Sequence, residues 1–130
     1  MSLARLTAGA HGAYLTVSGV WPLVDRTSFE RVTGRKQEFW LVRTVGGLAA
    51  AIGLSLGLAA LRGTKEPETV ALALSSGLAF GVADVRASRT ESRIYLADLA
   101  LQALFTAAWL RPWSTRADLS SPRGPVATRP

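Results

Sequence analysis

The sequence predicts an all-α fold: a four-transmembrane-helix antiparallel bundle with a short interfacial helix between spans one and two. Residues 39–61 form an unbroken apolar run of 23 residues with one charge, Arg43, near its start. As a helix this run would be about 34 Å long, enough to cross a hydrocarbon core of about 30 Å. The chain is 48% hydrophobic yet carries a formal charge of +6, which is typical of apolar spans separated by charged loops. Short polar connections between the apolar runs favour antiparallel neighbours.

The first predicted span covers residues 6–24, in which His11 is the only ionisable side chain. The alternative is a secretory signal peptide, which needs a basic start and a small-residue cleavage site. Only Arg5 precedes this segment, and its end, Trp-Pro-Leu-Val-Asp, is a poor cleavage site. We therefore predict a retained helix with Pro22 in its last turn, where the missing donor costs little.

The first polar connection contains a pattern typical of a helix start. Thr27 followed by Glu30 matches a capping box, and Gly34 is a stop signal. The pattern predicts a helix over residues 28–33 that places Phe29 in the headgroup layer, together with neighbouring aromatic residues. The alternative is an ordinary solvated loop.

The remaining spans follow in order. Residues 39–61 form span two, and a connection with Gly63 and Pro67 leads to span three, residues 69–85. A polar loop then precedes span four, Ile94–Leu110, and spans three and four, at 17 residues each, are at the short end of the allowed range. Residues 1–110 thus form one membrane domain. Residues 111–130 form an Arg- and Pro-rich tail that we expect to be disordered unless bound.

Four polar residues inside the predicted spans are the candidate binding site: Arg43, Asp84, Asp98 and Gln102. Ionisable groups at membrane depth are costly, so they usually face the bundle interior and pair with one another. Helix rise places Arg43 and Asp98 at about the same depth, roughly 6 Å inside one boundary. We predict an Arg43–Asp98 pair, with Asp84 nearby and Gln102 one turn deeper. A structural ion pair that fixes helix register is the simpler explanation of this cluster; a proton, ion or small-molecule site is the alternative.

Small residues recur on one face of spans two and three, which permits close helix approach. The predicted helix-packing glycines are Gly46, Gly53 and Gly57 in span two and Gly77 and Gly81 in span three. Each stripe also carries a charge, Arg43 or Asp84. We expect these faces to be packing surfaces rather than cofactor loops.

Several functional classes are excluded or disfavoured. The chain has no cysteine and one histidine, so we expect no metal site and no cofactor. No HExxH, GxSxG or P-loop motif is present, and we predict that the protein is not an enzyme. Its basic residues lie in short loops beside apolar spans, so the expected partner is the lipid bilayer and not nucleic acid. His11 is expected to be an interfacial hydrogen-bonding residue near the opposite face from the charge cluster.

Two further stretches carry a resemblance to a known group. The first joins Trp21-Pro22-Leu23-Val24, Ser28-Phe29-Glu30 and Trp40-Leu41-Val42-Arg43-Thr44-Val45-Gly46; the second is Arg93-Ile94-Tyr95-Leu96-Ala97-Asp98. Over residues 10–110 the chain resembles small uncharacterised bacterial four-span integral membrane proteins. The resemblance implies a multi-pass protein of the bacterial inner (plasma) membrane and brings no assigned activity.

Two functional hypotheses follow from the sequence. The first is a structural or accessory role, in which the glycine stripes pack against a larger membrane complex or another copy of the chain. The second is a small-ligand or ion/proton binding or transport module built around the intramembrane Arg/Asp/Asp/Gln cluster. Paired charges and outward glycine faces would favour the first. A ligand-sized cavity beside Asp98 and Gln102 would favour the second.

Overall fold

A computed structural model describes residues 3–63 and 66–111 of the chain. It contains five helices: α1 Leu3–Val24, α2 Arg26–Thr33, α3 Phe39–Arg62, α4 Pro67–Thr90 and α5 Ile94–Leu110. No strand occurs among these residues, which confirms the all-α class. The predicted tail lies, from residue 112 onward, outside the described residues.

The start of α3 and both ends of α5 coincide with the predicted bounds, whereas α4 is longer than predicted. It begins at Pro67, in the first turn where a missing donor costs nothing, and continues to Thr90 rather than ending near residue 85. Nothing between residues 85 and 90 is Gly or Pro, so no residue there interrupts the helical hydrogen bonds. Part of the predicted third loop is therefore helix.

The short helix α2 exists, but its predicted capping box is wrong. Asp25, two residues earlier than the predicted Thr27, is the N-cap, and its carboxylate accepts a hydrogen bond of 3.0 Å from the backbone N–H of Ser28. Glu30 instead pairs with Arg26 at 3.2 Å. The carboxylate of Asp25 reaches the first turn because α1 ends one residue before it, and Asp is at least as good a cap as Thr. Gly34 ends the helix as predicted, with φ of 93°.

The four long helices form a ring in the order α1, α3, α4, α5. Each helix contacts the next around the ring, whereas the diagonal pairs α3/α5 and α1/α4 make no close backbone approach within the described part of the chain. The two most extensive interfaces are α1/α3 and α4/α5. The bundle is thus two tight helix pairs joined by two looser seams.

Glycine allows α1 and α3 to approach backbone to backbone. A methyl group placed on Gly53 would lie 2.5 Å from the backbone nitrogen of Thr16 and 2.6 Å from the carbonyl oxygen of Gly12. A methyl group on Gly46 would lie 2.5 Å from the carbonyl oxygen of Gly19. At one end of this interface, Arg5 donates to the carbonyl oxygens of Ala60 and Leu61 at 2.8 and 2.9 Å. Gly46 and Gly53 of the predicted span-two stripe therefore pack within the chain, whereas a methyl group on Gly57 would meet no atom within 4 Å.

The second tight pair, α4/α5, uses the other predicted glycines. A methyl group on Gly77 would lie 2.8 Å from Oγ1 of Thr106, and one on Gly81 would lie 3.7 Å from Cδ1 of Leu99. Gly77 thus permits a close crossing, whereas Gly81 makes an ordinary van der Waals contact. Both glycines face α5, so neither stripe is free for another protein at these positions.

The first and third connections meet at the same end of the bundle. Lys36 forms an ion pair with Glu91, and Oγ of Ser92 donates to the carbonyl oxygen of Val32 at 3.1 Å. Trp21 adds to this end by donating to Oγ of Ser28 at 2.7 Å and packing edge-on against Phe29. An up-and-down bundle places its first and third connections at the same end, as these contacts show.

Among the described residues, two helices, α3 and α4, are long and apolar enough to cross a membrane, and α5 is a shorter apolar helix of 17 residues. By length and composition the structure therefore supports two membrane-spanning helices, a coarser result than the four predicted spans.

Candidate functional site

A cavity of about 410 Å³ lies between the two helix pairs. All five helices contribute to its lining, which is mainly apolar and aromatic: α1 supplies Trp21, α2 Phe29, α4 Phe80 and α5 Tyr95, while α3 adds only apolar residues and Gly46. Three of the predicted site residues, Asp84, Asp98 and Gln102, also line it. The helix order brings them together because α4 and α5 are adjacent and antiparallel.

Asp98 is the half-buried carboxylate of the cavity, and donors surround it. The hydroxyl of Tyr14 on α1 donates to Oδ1 of Asp98. Gln102, one turn further along α5, directs its amide nitrogen at the same oxygen from 3.5 Å. Asp98 thus links the two helix pairs through Tyr14. Sequence reasoning missed Tyr14, although it is the one phenol in the predicted first span.

Asp84 is the more deeply buried carboxylate. Its side chain is on the cavity lining and the residue is 4% exposed, and Oδ2 has no hydrogen-bond partner among the described residues. It lies close enough to Asp98 for the two side chains to interact directly. Neither aspartate pairs with a Lys or Arg in the described part of the chain, where the ion pairs are Arg26–Glu30 and Lys36–Glu91.

The predicted Arg43–Asp98 pair is wrong. Arg43 is exposed, and its guanidinium lies over the ring of Phe39 with Cζ 5.5 Å from the ring centroid. Helical side chains lean toward the N-terminus of their helix, so the long Arg43 side chain follows α3 back toward its start and toward the surface. Moreover, α3 and α5 are diagonal in the ring, and α1 fills the glycine face of α3. Arg43 is therefore not part of the site.

His11 makes a hydrogen bond, as predicted, and its side chain is buried within the bundle rather than exposed at its surface. It is 1% exposed, accepts a hydrogen bond of 3.0 Å at Nδ1 from the indole of Trp109, and stacks on Phe105 at 4.5 Å. Its side chain also interacts with Gln102. The prediction placed His11 far from the aspartates, whereas Gln102 connects the two groups.

Lys36 stands where the cavity meets the end of the bundle. It lies 5.2 Å from the ring centroid of Tyr95, pairs with Glu91, and its partial burial lowers its pKa. A second, more polar recess of about 560 Å³ adjoins the cavity here, and the two share Lys36, Leu41, Val42 and Glu91 as lining residues. The cavity therefore opens toward the first and third connections.

The described residues contain no group of three or more His, Cys, Asp or Glu side chains able to hold a metal ion. Comparison with family models, with curated proteins and with solved structures finds no match to this chain. The resemblance to small four-span proteins stays a prediction. The geometry of the cavity is thus the basis for any functional proposal.

Proposed function

We propose that the protein is a four-span integral membrane protein that binds a small organic cation in its interior cavity. One observation carries the proposal: two interacting carboxyl groups, Asp84 and Asp98, line a ligand-sized cavity without a cationic partner in the described chain. The outer surface, the size of the cavity and the chemistry of its lining each support a part of the proposal.

The surface supports the membrane location because the bundle is apolar outside and partly polar inside. Large aliphatic side chains on the long helices are strongly exposed, among them Val17, Leu48, Leu54, Leu78 and Leu104. Buried positions hold His11, Ser76, Asp84 and Gln102 beside apolar residues such as Leu15, Leu56 and Trp109. Water would penalise this distribution, whereas a bilayer favours it, since lipid solvates the apolar exterior and polar groups turn inward. The same argument extends the membrane assignment from α3 and α4 to α1 and α5.

The cavity supports a small ligand by its size. Its volume of about 410 Å³ is in the usual range of small-molecule sites, roughly 300–1,000 Å³. Its position between two tight helix pairs is also typical of ligand sites in helical bundles. A bundle that served only to pack would fill this space with side chains, because protein interiors are close-packed.

The lining supports a cation that carries apolar groups. Carboxylates attract positive charge most strongly where water is scarce, and the rings of Tyr14, Trp21, Phe29 and Tyr95 on the lining offer faces that attract ammonium groups. The described residues bring together no group of three or more His, Cys, Asp or Glu side chains, the ligands that resident zinc and transition-metal ions usually require. The chemistry therefore favours an organic ammonium or guanidinium compound.

The proposed accessory role has less support from the same geometry. It depended on glycine faces that point away from the chain, but Gly46 and Gly53 face α1, and Gly77 and Gly81 face α5. A role in a larger complex stays a prediction, and mass spectrometry of proteins that co-purify in mild detergent tests it.

Calorimetric titration of the purified full chain in detergent tests the cation site. The probe is phenethylammonium, and the matched neutral compound is 2-phenylethanol, which has the same ring and chain length without the charge. We expect saturable binding of the ammonium compound and at least tenfold weaker binding of the alcohol. Asp98→Asn should raise the Kd about tenfold or more, because a hydrogen bond to a charged group contributes about 1.5–3 kcal/mol.

Glu68→Gln is the matched control for loss of one negative charge. Glu68 is exposed in the first turn of α4, at the helix end remote from Asp84. The Glu68→Gln variant should bind phenethylammonium with the same Kd as the wild-type protein. Equal binding of the ammonium compound and the alcohol, or an unchanged Kd in Asp98→Asn, would contradict the proposal.

A further inference from the structure

The two aspartates of the cavity differ in their hydrogen-bond donors. Asp98 accepts from Tyr14 and is approached by the amide of Gln102, whereas Oδ2 of Asp84 is buried without a partner among the described residues. Hydrogen bonds that point at a carboxylate favour its charged form, and burial without donors favours the neutral acid. The environment therefore distinguishes the two groups although their chemistry is the same.

A series of side chains from Trp109 through His11 to Gln102 favours this difference between the two aspartates. The indole N–H of Trp109 donates to Nδ1 of His11, so the neutral imidazole carries its hydrogen at Nε2. That nitrogen and Oε1 of Gln102 are both buried and do not reach hydrogen-bond geometry, yet the two side chains interact. An N–H on the side of the amide oxygen favours the orientation in which the NH₂ group of Gln102 is toward Asp98, where it lies 3.5 Å from Oδ1. The N–H groups of Trp109, His11 and Gln102 are thus all oriented toward Asp98.

Two carboxyl groups that interact directly on one cavity repel each other when both are charged, which favours a single proton on the pair. The groups that face Asp84 come from each neighbouring element. Tyr14 comes from α1, Asp98 and Tyr95 come from α5, and Lys36 and Glu91 stand at the mouth of the cavity; α3 lines it with apolar residues and glycine alone. Lys36 is already paired with Glu91, so neither aspartate is neutralised by it.

We propose that Asp84 carries the proton of the aspartate pair and exchanges it for the organic cation. This inference rests on the proposed cation site and adds the coupling to it. When the ammonium group enters, the O–H bond of the Asp84 carboxyl breaks and the proton leaves to water. The resulting carboxylate joins Asp98 in binding the cation. The charge of the cavity is thereby conserved, since one positive charge replaces another.

Calorimetry in two buffers measures this exchange with the same protein and the same probe. Phenethylammonium is titrated at one pH in phosphate and in HEPES, which carries no net positive charge and has a different heat of ionisation, so the difference in binding enthalpy gives the number of protons released. We expect about one proton released per cation bound by the wild-type protein, because binding and proton release are linked at one group. Glu68→Gln, the exposed control on the same helix, should release the same number.

Asp84→Asn assigns the proton to its residue. The amide has nearly the same shape and no proton to lose, so this variant should bind phenethylammonium through Asp98 with no proton released. Wild-type binding without proton release would overturn the exchange while leaving the cation site standing. Proton release that persists in Asp84→Asn would show that the exchanged proton does not belong to Asp84. Absence of binding to the wild-type protein would instead contradict the proposed function itself.

Discussion

Gly53, at the centre of the α1/α3 interface, offers a sharp test of the packing. Gly53→Ala would place a methyl carbon 2.5 Å from both the backbone nitrogen and the hydroxyl oxygen of Thr16 and 2.6 Å from the carbonyl oxygen of Gly12. Two of these three atoms belong to the backbone of α1, which cannot rotate out of the way as a flexible side chain could. The helices must therefore move apart to accept the methyl group.

The magnitude follows from two opposing effects. Overpacking a tight interface costs about 1–3 kcal/mol, and a clash with three atoms, two of them backbone, belongs at the upper end of that range. Alanine regains about 1 kcal/mol of helix propensity over glycine. We expect Gly53→Ala to lower the free energy of unfolding by about 2 kcal/mol.

Gly47 and Gly57 are the matched controls on the same helix. A methyl group at either position would meet no atom within 4 Å outside its own local backbone. Both Ala variants should therefore gain up to about 1 kcal/mol from helix propensity alone. The contrast with Gly53→Ala is then about 3 kcal/mol, or roughly a hundredfold in the folding equilibrium.

The assay is unfolding of the purified protein by titration of a denaturing detergent into mixed micelles, followed by far-ultraviolet circular dichroism. The three variants are measured side by side with the wild type. If Gly53→Ala proves as stable as Gly47→Ala, the close approach of α1 and α3 does not exist in the folded protein.

Three further substitutions test other parts of the structure. Arg43→Ala should change the free energy of unfolding by less than about 0.5 kcal/mol, because the side chain is exposed beside Phe39; detergent unfolding checks this, and a large loss would restore the pair with an aspartate. Trp109→Phe should cost about 1–3 kcal/mol in the same assay by leaving Nδ1 of His11 buried without its donor, and a neutral result would contradict the observed burial. Hydrogen bonds from the first turn of α2 lower the pKa of Asp25, so its stabilising effect is full above the unfolded pKa and is lost as pH falls through the lower folded pKa. Asp25→Asn should therefore flatten the acid side of a plot of melting temperature against pH, whereas an unchanged acid side would exclude this cap.

The sequence was sufficient to predict three members of the site. Helix rise and chain direction put Asp84 near the level of Asp98 and Gln102 one turn deeper, and the structure brings these three together on one cavity. Depth depends on position along each helix, which an up-and-down bundle fixes. The predicted depth of a residue was therefore correct where the predicted bounds of its helix were correct.

The sequence was insufficient where the result depended on which helices are neighbours. Arg43 was predicted at the depth of Asp98, but α3 is diagonal to α5, and the glycine stripes of spans two and three do not by themselves identify their partner helices. Gly12 and Gly19 on α1 lie seven residues apart and meet the stripe of α3. That spacing is a signal that would have placed α1, and not α5, against Arg43's helix.

Tyr14 and His11 were missed for a related reason. Each lies on the weakly apolar first span, where His11 was expected to be an interfacial residue and Tyr14 was not assigned a role. Their burial follows from the close approach of α1 to α3, which places the remaining face of α1 toward α5. Only the packing reveals that these polar side chains face Asp98 and Trp109.

Labelling with dicyclohexylcarbodiimide tests the central proposal most directly. This apolar reagent adds to protonated carboxyl groups that it reaches from a membrane, and mass spectrometry of peptides identifies the modified residue. We predict that Asp84 is modified in the wild-type protein and that phenethylammonium, but not 2-phenylethanol, slows the modification. Modification of Asp84 at the same rate with and without phenethylammonium, or no modification of Asp84, would contradict a protonated cation site in this cavity.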